Sequence, residues 1–134
     1  MNIQAKNKKW TQSILRLGED MHSAIKNLNN SGTQIVLITD KTNILVGTIS
    51  DGDIRRGLMN GLDLNSSVEK VMRLDPFVVN ESITKDAATQ LMMANNIRQI
   101  PIVDNSKKVI GMHLLQESAH IYAQDNLMVI MAGG

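Results

Sequence analysis

The sequence predicts an α/β (α+β) fold made of two pseudo-symmetric repeats, each running strand, helix, strand, strand, helix. Three observations predict it. A shift of 64 residues superposes two stretches without a gap, placing Ile38 and Asp40 on Ile102 and Asp104, Val46 and Gly47 on Ile110 and Gly111, Ala24 on Ala88, and Leu28 on Met92. In each stretch a helical spacing of apolar residues is followed by two β-rich runs separated by a polar turn. One unit of about 60 residues is too small to bury a good core, so the two copies are expected to pack against each other.

Each element has a local reason. Ile14 and Leu15 open the first copy, and a helix follows whose inward positions Met21, Ala24, Ile25 and Leu28 keep the i, i+3, i+4, i+7 pattern behind an N-cap at Asp20. The second copy offers Val78 and Val79, then Ala87, Ala88, Leu91 and Met92, with Thr84 as the matching cap. The β-rich runs cover residues 35–39 and 45–49 in one copy and 99–103 and 109–113 in the other, joined by turns that open at Asp40 and Asp104. A second helix is expected over residues 51–60 and 116–123, with Gly57, Asn60 and Gly61 ending the first of these. Val68 to Met72 reads as a short lead-in helix to the second copy. The expected divisions are residues 8–63, 68–124 and 125–134, the last being the start of a following domain.

Composition narrows the function. With 14 Lys+Arg against 13 Asp+Glu in 134 residues, and the basic residues scattered, the chain lacks the clustered basic face that nucleic acid or anionic lipid requires. There is no cysteine, which excludes disulfides, thiolate metal sites and cysteine nucleophiles. No stretch approaches the roughly 20 apolar residues of a membrane span. The N-terminus has lysines but no apolar run behind them, so a cytoplasmic chain is expected. His22, His113 and His120 lie apart from partners and read as surface or packing residues, and no metal site is expected. The nine methionines read as core fillers, and Trp10 as a cover for one end of the core or a stacking surface for a base. No nucleophile and base pair up, so no catalytic residue is assigned.

The chemistry concentrates between Val46 and Arg56. A strand ends at Ile49 and a helix begins at once, with Ser50 as N-cap and Asp53 three residues later. That spacing describes a capping box. It equally describes a phosphate site, because a helix N-terminus offers unpaired N–H groups and the positive end of a dipole. Ser50 can donate to a phosphate oxygen, and the Asp53 carboxylate can accept both hydroxyls of a ribose. Arg55 and Arg56 follow within a turn; either one can neutralise phosphate or lie on a solvated face.

The gapless repeat, the run from Gly47 to Asp53, the Val71-Met72 lead-in and the segment Asn96-Ile97-Arg98-Gln99 ahead of Ile100-Pro101-Ile102-Val103-Asp104 together resemble the tandem CBS-domain pair, or Bateman module, over residues 10–123. The resemblance implies two CBS repeats packed through their sheets. It also implies a regulatory adenosine nucleotide (AMP, ADP or ATP), with Ser50 meeting phosphate, Asp53 meeting ribose, Thr48 beside them and Arg56 near the phosphate. The base is expected against Ile14, Leu15, Val36 and Leu37. In the second copy Ser50 becomes Leu114 and Asp53 becomes Glu117, so the phosphate-binding hydroxyl is lost there. CBS pairs commonly associate through helices, which implies a homodimer through faces bearing Leu58 and Met59, and Ile121 and Tyr122.

The last residues, 127–134, form an apolar run ending in Gly-Gly, the pattern of a buried strand entering a phosphate-binding loop. They resemble the opening of sugar-phosphate nucleotidyltransferases. The expected function is therefore a regulatory adenosine-nucleotide-binding module covalently attached to such a catalytic domain, the chain itself not being an enzyme. The alternative is a structural dimerisation module without a ligand, in which Ser50 and Asp53 only cap a helix.

Overall fold

The computed structural model describes residues 8–115. A 3-10 segment, Lys8–Ser13, leads into β1 (Ile14–Arg16), α1 (Met21–Ser31), β2 (Ile35–Thr39), β3 (Leu45–Ser50) and α2 (Asp51–Met59). A 3-10 turn, Val68–Lys70, precedes β4 (Val79–Asn80), α3 (Lys85–Ala94), β5 (Gln99–Val103) and β6 (Val109–Leu114). The strands form two three-stranded sheets, ordered β1-β2-β3 and β4-β5-β6. In each, the first pair is parallel, joined across a helix, and the second pair is an antiparallel hairpin.

The duplication holds down to single bonds. Leu15 pairs with Ile38, and Val79, 64 residues on, pairs with Ile102. A bulge between Ile38 and Thr39 recurs between Ile102 and Val103. In the first hairpin Asp40 Oδ1 accepts the N–H groups of Thr42 and Ile44 at 2.8 and 3.1 Å; in the second, Asp104 Oδ1 accepts those of Ser106 and Lys108 at 2.8 and 3.0 Å. The Thr42 hydroxyl and amide, with Ile44 and the Arg16 charge adding to them, hold the Asp40 carboxyl below its ordinary value. The helix caps match as well. Asp20 accepts from the Ser23 amide at 2.9 Å and Thr84 from the Ala87 amide at 3.1 Å.

Both faces of each sheet are covered. Alternate residues of β2 diverge: Val36 and Ile38 point to the helical side, where they pack with Met21, Ala24, Ile49 and Ile54. Leu37 points the other way and joins Leu45, Val103, Val109 and Met112 in a cluster shared by the two repeats, with Ile14, Val78 and Trp10 at its margin. A third cluster under α3 holds Val79, Ala88, Met92 and Ile100. The repeats thus pack through their sheets. Their hairpins also exchange backbone bonds: Leu45 N–H donates to Lys107 C=O at 2.9 Å and Val109 N–H to Asn43 C=O at 3.3 Å. These two bonds are related by the same 64-residue shift, so a pseudo-twofold axis passes between Ile44 and Lys108.

One expectation needs correction. Gly57 does not end α2: it lies buried inside the helix, which is capped by Asn60 and followed by Gly61 at φ +98°. Gly57 is there for packing, because a Cβ on it would sit 2.5 Å from Val71 Cγ1. The segment that introduces the second copy forms the expected short helical turn and also packs on the first copy. Its 3-10 turn puts Val68 in the core beneath α1, and Arg73 and Thr48 exchange backbone bonds of 2.8 and 3.1 Å along the edge of β3. The second helix of the later copy, over residues 116–123, lies outside the described residues, as do Glu117, His120, Ile121, Tyr122 and residues 127–134. Among the described residues no helix is long and apolar enough to cross a membrane.

The crossing at β3 requires glycine. A Cβ on Gly47 would lie 2.8 Å from Met72 Sδ and 3.0 Å from the Arg73 carbonyl oxygen, and a backbone atom cannot swing aside. Gly47→Ala is therefore expected to destabilise the fold by about 1–3 kcal/mol. Urea denaturation of the variant beside the parent chain measures this directly; equal midpoints would show that the edge relaxes without cost.

Candidate functional site

At the junction of β3 and α2, Ser50 keeps an extended backbone (φ −108°, ψ 171°) while the next residue is already helical. Its hydroxyl accepts the Asp53 N–H at 3.3 Å, and Asp53 Oδ2 accepts the Ser50 N–H at 2.9 Å and the Ser50 hydroxyl at 3.0 Å. The capping box is complete. Asp53 Oδ1 is ion-paired with Arg56, and the carboxylate is only 10% exposed whereas the guanidinium is 64% exposed. Arg55 turns away to pair with Asp51 at 3.0 Å on the solvent side.

The start of α2 opens on a cleft of about 630 Å³ between the repeats. Ser50, Asp51 and Gly52 form one wall, and Asn96, Arg98 and Gln99 of the second repeat form the other. Leu28 and Ile97 supply apolar surface. Gln99 Nε2 and Gln34 Oε1 approach to 3.5 Å across the repeat boundary. Gln34 and Asn96 hold positive φ values of 68° and 60°, in the left-handed region that few residues other than glycine and asparagine enter readily. Backbone N–H groups at a helix N-terminus, a guanidinium opposite and amide side chains between them suit a ligand with a phosphate and a hydrogen-bonding body.

Of the residues expected at the site, Ser50 lines this cleft, and Asp53 and Arg56 stand one turn behind it. Thr48 is buried with its main chain bound to Arg73. Leu15 and Val36 belong to the core under α1, and Ile14 and Leu37 to the core between the sheets. These five are not among the residues lining the cleft: Val36 and Leu37 are buried on opposite faces of β2, Ile14 and Leu15 pack beside them, and Thr48 is buried in β3. Asn96, Arg98, Gln99 and Gln34 line the cleft and are not among the residues that the sequence singles out for a site. The first three lie in a segment that reads from the sequence only as a family signature.

The second copy's equivalent junction is different in kind. Leu114, at the position of Ser50, packs against the core between the sheets. His113 beside it is half-buried; that burial, with the Lys85 charge adding to it, pushes its imidazole below the ordinary value. Among the described residues no group of three or more His, Asp or Glu is placed to hold a metal ion.

Comparison with known proteins matches part of the chain to a family and the whole fold to solved structures. Residues 68–112 match the CBS domain. The CBS domain pair of protein MJ0100, solved with 5-methylthioadenosine and S-adenosyl-L-methionine, superposes with a TM-score of 0.72 at 21% identity, covering 84% of this chain and 88% of that one. A CBS domain protein from Pyrobaculum aerophilum complexed with AMP gives a TM-score of 0.68 at 19% identity, over 77% of this chain and 79% of that one. In sequence, an uncharacterized protein of Rickettsia prowazekii is 31% identical over 104 residues, which is 71% of this chain and 32% of the relative. The arabinose 5-phosphate isomerase GutQ of Salmonella typhi is 28% identical over 101 residues, or 75% of this chain and 32% of the relative. The chain therefore spans about a third of the length of these curated relatives.

The cap is tested by stability alone. Removing the Ser50 hydroxyl leaves an α2 N–H without its acceptor, so Ser50→Ala is expected to cost about 1 kcal/mol, and Ser50→Gly only a few tenths. Chemical denaturation of the two variants separates these values, and equal losses would show that the cap geometry is not what the hydroxyl provides.

Proposed function

As a chain that carries a CBS domain over residues 68–112 and has the fold of a CBS-domain pair, this protein is, we propose, a regulatory module that binds an adenosine nucleotide in the cleft between its repeats. The observation that carries the reading is the meeting of the α2 N-terminus with Arg98 across that cleft. The phosphate is assigned to the N–H groups of Asp51 and Gly52, since the Ser50 N–H is held by Asp53, with Arg98 as its cation, since Arg56 is already paired with Asp53. Leu28 and Ile97 offer surface to a base, and the amides of Gln34, Asn96 and Gln99 offer it edges. The neighbours solved with AMP and with S-adenosyl-L-methionine support the adenosine class.

Asp53 is assigned to the ribose hydroxyls, which requires its carboxylate, 10% exposed, to exchange the Arg56 ion pair for the ligand. Replacement by asparagine removes one acceptor oxygen and the charge that strengthens both bonds, so Asp53→Asn is expected to weaken AMP binding by about 1.5–3 kcal/mol, roughly ten- to a hundredfold. Calorimetric titration with AMP reads this, and Arg98→Gln is expected to weaken binding by about tenfold alongside it. Unchanged affinity in both variants contradicts the site. The completeness of the capping box favours a second reading, a structural module in which Ser50 and Asp53 serve only the helix. A thermal-shift panel of AMP, ADP, ATP, GTP and S-adenosylmethionine separates the two, because a ligand specific for the native state raises the midpoint by mass action and a purely structural module shows no shift.

The module is assigned to a larger cytoplasmic enzyme acting on a sugar phosphate. The relatives named as arabinose 5-phosphate isomerases point to a sugar-phosphate isomerase, and they lend no support to the nucleotidyltransferase expected from residues 127–134. Those residues lie outside the described part of the chain, so the nucleotidyltransferase reading rests on sequence alone. We assign a second copy of the chain as partner, covering the α2 face where Leu58 and Met59 are 44% and 80% exposed. Light scattering at tens of micromolar is expected to give the dimer mass, and Met59→Asp is expected to shift it to the monomer.

A further inference from the structure

We propose that Gly52 sets the ligand class of the cleft between the repeats: by carrying no side chain at the second position of α2, it lets a phosphate close on the helix N-terminus, so that the cleft takes a phosphorylated nucleoside in preference to the bare nucleoside. This role rests on the nucleotide reading above and adds the residue that admits the phosphate. Gly52 stands in one wall of the cleft beside Ser50 and Asp51, facing Arg98 and Gln99 of the second repeat.

The fold supplies no reason for a glycine there. In the first turn of α2, as elsewhere in a helix, glycine costs stability relative to alanine. The other glycines among the described residues have structural grounds: Gly18, Gly32 and Gly61 hold a positive φ, and a Cβ on Gly47, Gly57 or Gly111 would lie 3.2 Å or less from a neighbouring atom. Gly52 has neither. Its backbone is ordinary helix, and a Cβ on it would meet Arg56 Nη1 at 3.5 Å and the Ser50 hydroxyl oxygen at 3.8 Å, both normal contacts, with no atom of the second repeat inside 4 Å. The 64-residue shift places Gln116 at the equivalent position, so the repeat itself does not call for glycine.

The space left by the missing side chain is where an acceptor binds. A helix leaves its first N–H groups without partners inside the helix. At α2 the Asp53 N–H is taken by the Ser50 hydroxyl and the Ser50 N–H by the Asp53 carboxylate, which leaves the N–H groups of Asp51 and Gly52 as the donors of this end. A helical Cβ leans toward the N-terminus, so one on Gly52 would crowd an oxygen bound to those donors. Guanidinium groups flank the same point. Arg56 bonds Asp53 through Nη2 and keeps Nη1 3.5 Å from that Cβ position, and Arg98 stands in the opposite wall. Once Asp53 turns to the ribose, the Arg56 guanidinium is left beside the phosphate. The carboxylate in this wall, Asp51, is paired with Arg55 on the solvent side. Such a corner favours an anion, and a neutral nucleoside leaves its donors unused.

The test is calorimetric titration of the 134-residue chain with AMP and with adenosine, beside urea denaturation, in the parent and in Gly52→Ala. The parent is expected to bind AMP at least about tenfold more tightly than adenosine. Gly52→Ala is expected to weaken AMP at least about tenfold, to leave adenosine within about twofold, and to keep or raise the urea midpoint, since alanine is the better helix residue. Gly52→Gln, which copies Gln116 of the sister repeat, is expected to lose AMP in the same way on a folded chain. Unchanged AMP affinity in Gly52→Ala, an equal loss of AMP and adenosine, or a lowered midpoint overturns the role of Gly52. Unchanged affinity in Gly52→Ala together with weakened AMP in Asp53→Asn leaves the nucleotide reading standing without it, whereas a parent chain that binds neither AMP nor adenosine overturns both.

Discussion

Everything in this fold depends on the packing of two three-stranded sheets face to face. Neither sheet could stand alone, since three short strands and one or two helices leave an apolar face uncovered. Leu37 and Leu45 from one repeat meet Val103, Val109 and Met112 from the other, and the paired backbone bonds at Leu45 and Val109 fix the relative rotation of the repeats. The lead-in to the second copy adds a further tie by placing Val68 in the core of the first. Because the sheets cannot turn relative to one another, the α2 N-terminus is held against residues 96–99 of the other repeat, and a cleft exists there at all.

The duplication also explains why the two halves of the molecule offer different chemistry on equal geometry. Strands, bulges, hairpins and caps repeat at a 64-residue interval, so the backbone offers two equivalent junctions, at the ends of β3 and β6. Side chains break the equivalence. Ser50 is replaced by Leu114, which goes to the core between the sheets, while Arg16, Thr39 and Lys41 have no charged or hydroxylated counterparts at Asn80, Val103 and Asn105. One repeat has kept polar groups at its ends; the other uses those positions for packing or for a bond between two amides.

The features legible in the sequence are those that depend on neighbours close in the chain. The strands at residues 35–39 and 99–103, the caps Asp20, Thr84 and Ser50, and the Asp40 and Asp104 turns all follow from spacing and side-chain donors, and each copy supports the reading of the other. Gly57 is misread because propensity treats glycine as a helix end, whereas the contact with Val71 that requires it comes from a distant segment. Val36 and Leu37 cannot be assigned to a face from sequence, since a strand buried on both sides, as β2 is, shows no alternation, and Ile14 and Leu15 in a three-residue strand are too few to show any. Arg98 escapes for the same reason in reverse: its place opposite Ser50 is created by the packing of the repeats, about which its own neighbours say nothing.

The central claim is that the repeats build one nucleotide site at the α2 junction, with the Ser50 position of the other copy closed by Leu114. The most direct measurement is the stoichiometry of AMP binding by calorimetry on the chain at known concentration. The account predicts one molecule of AMP per chain. Two equal and independent sites would show that the hydroxyl and carboxylate of the first copy are not what selects the ligand, and no binding at millimolar AMP would leave Ser50 and Asp53 as a helix cap and nothing more.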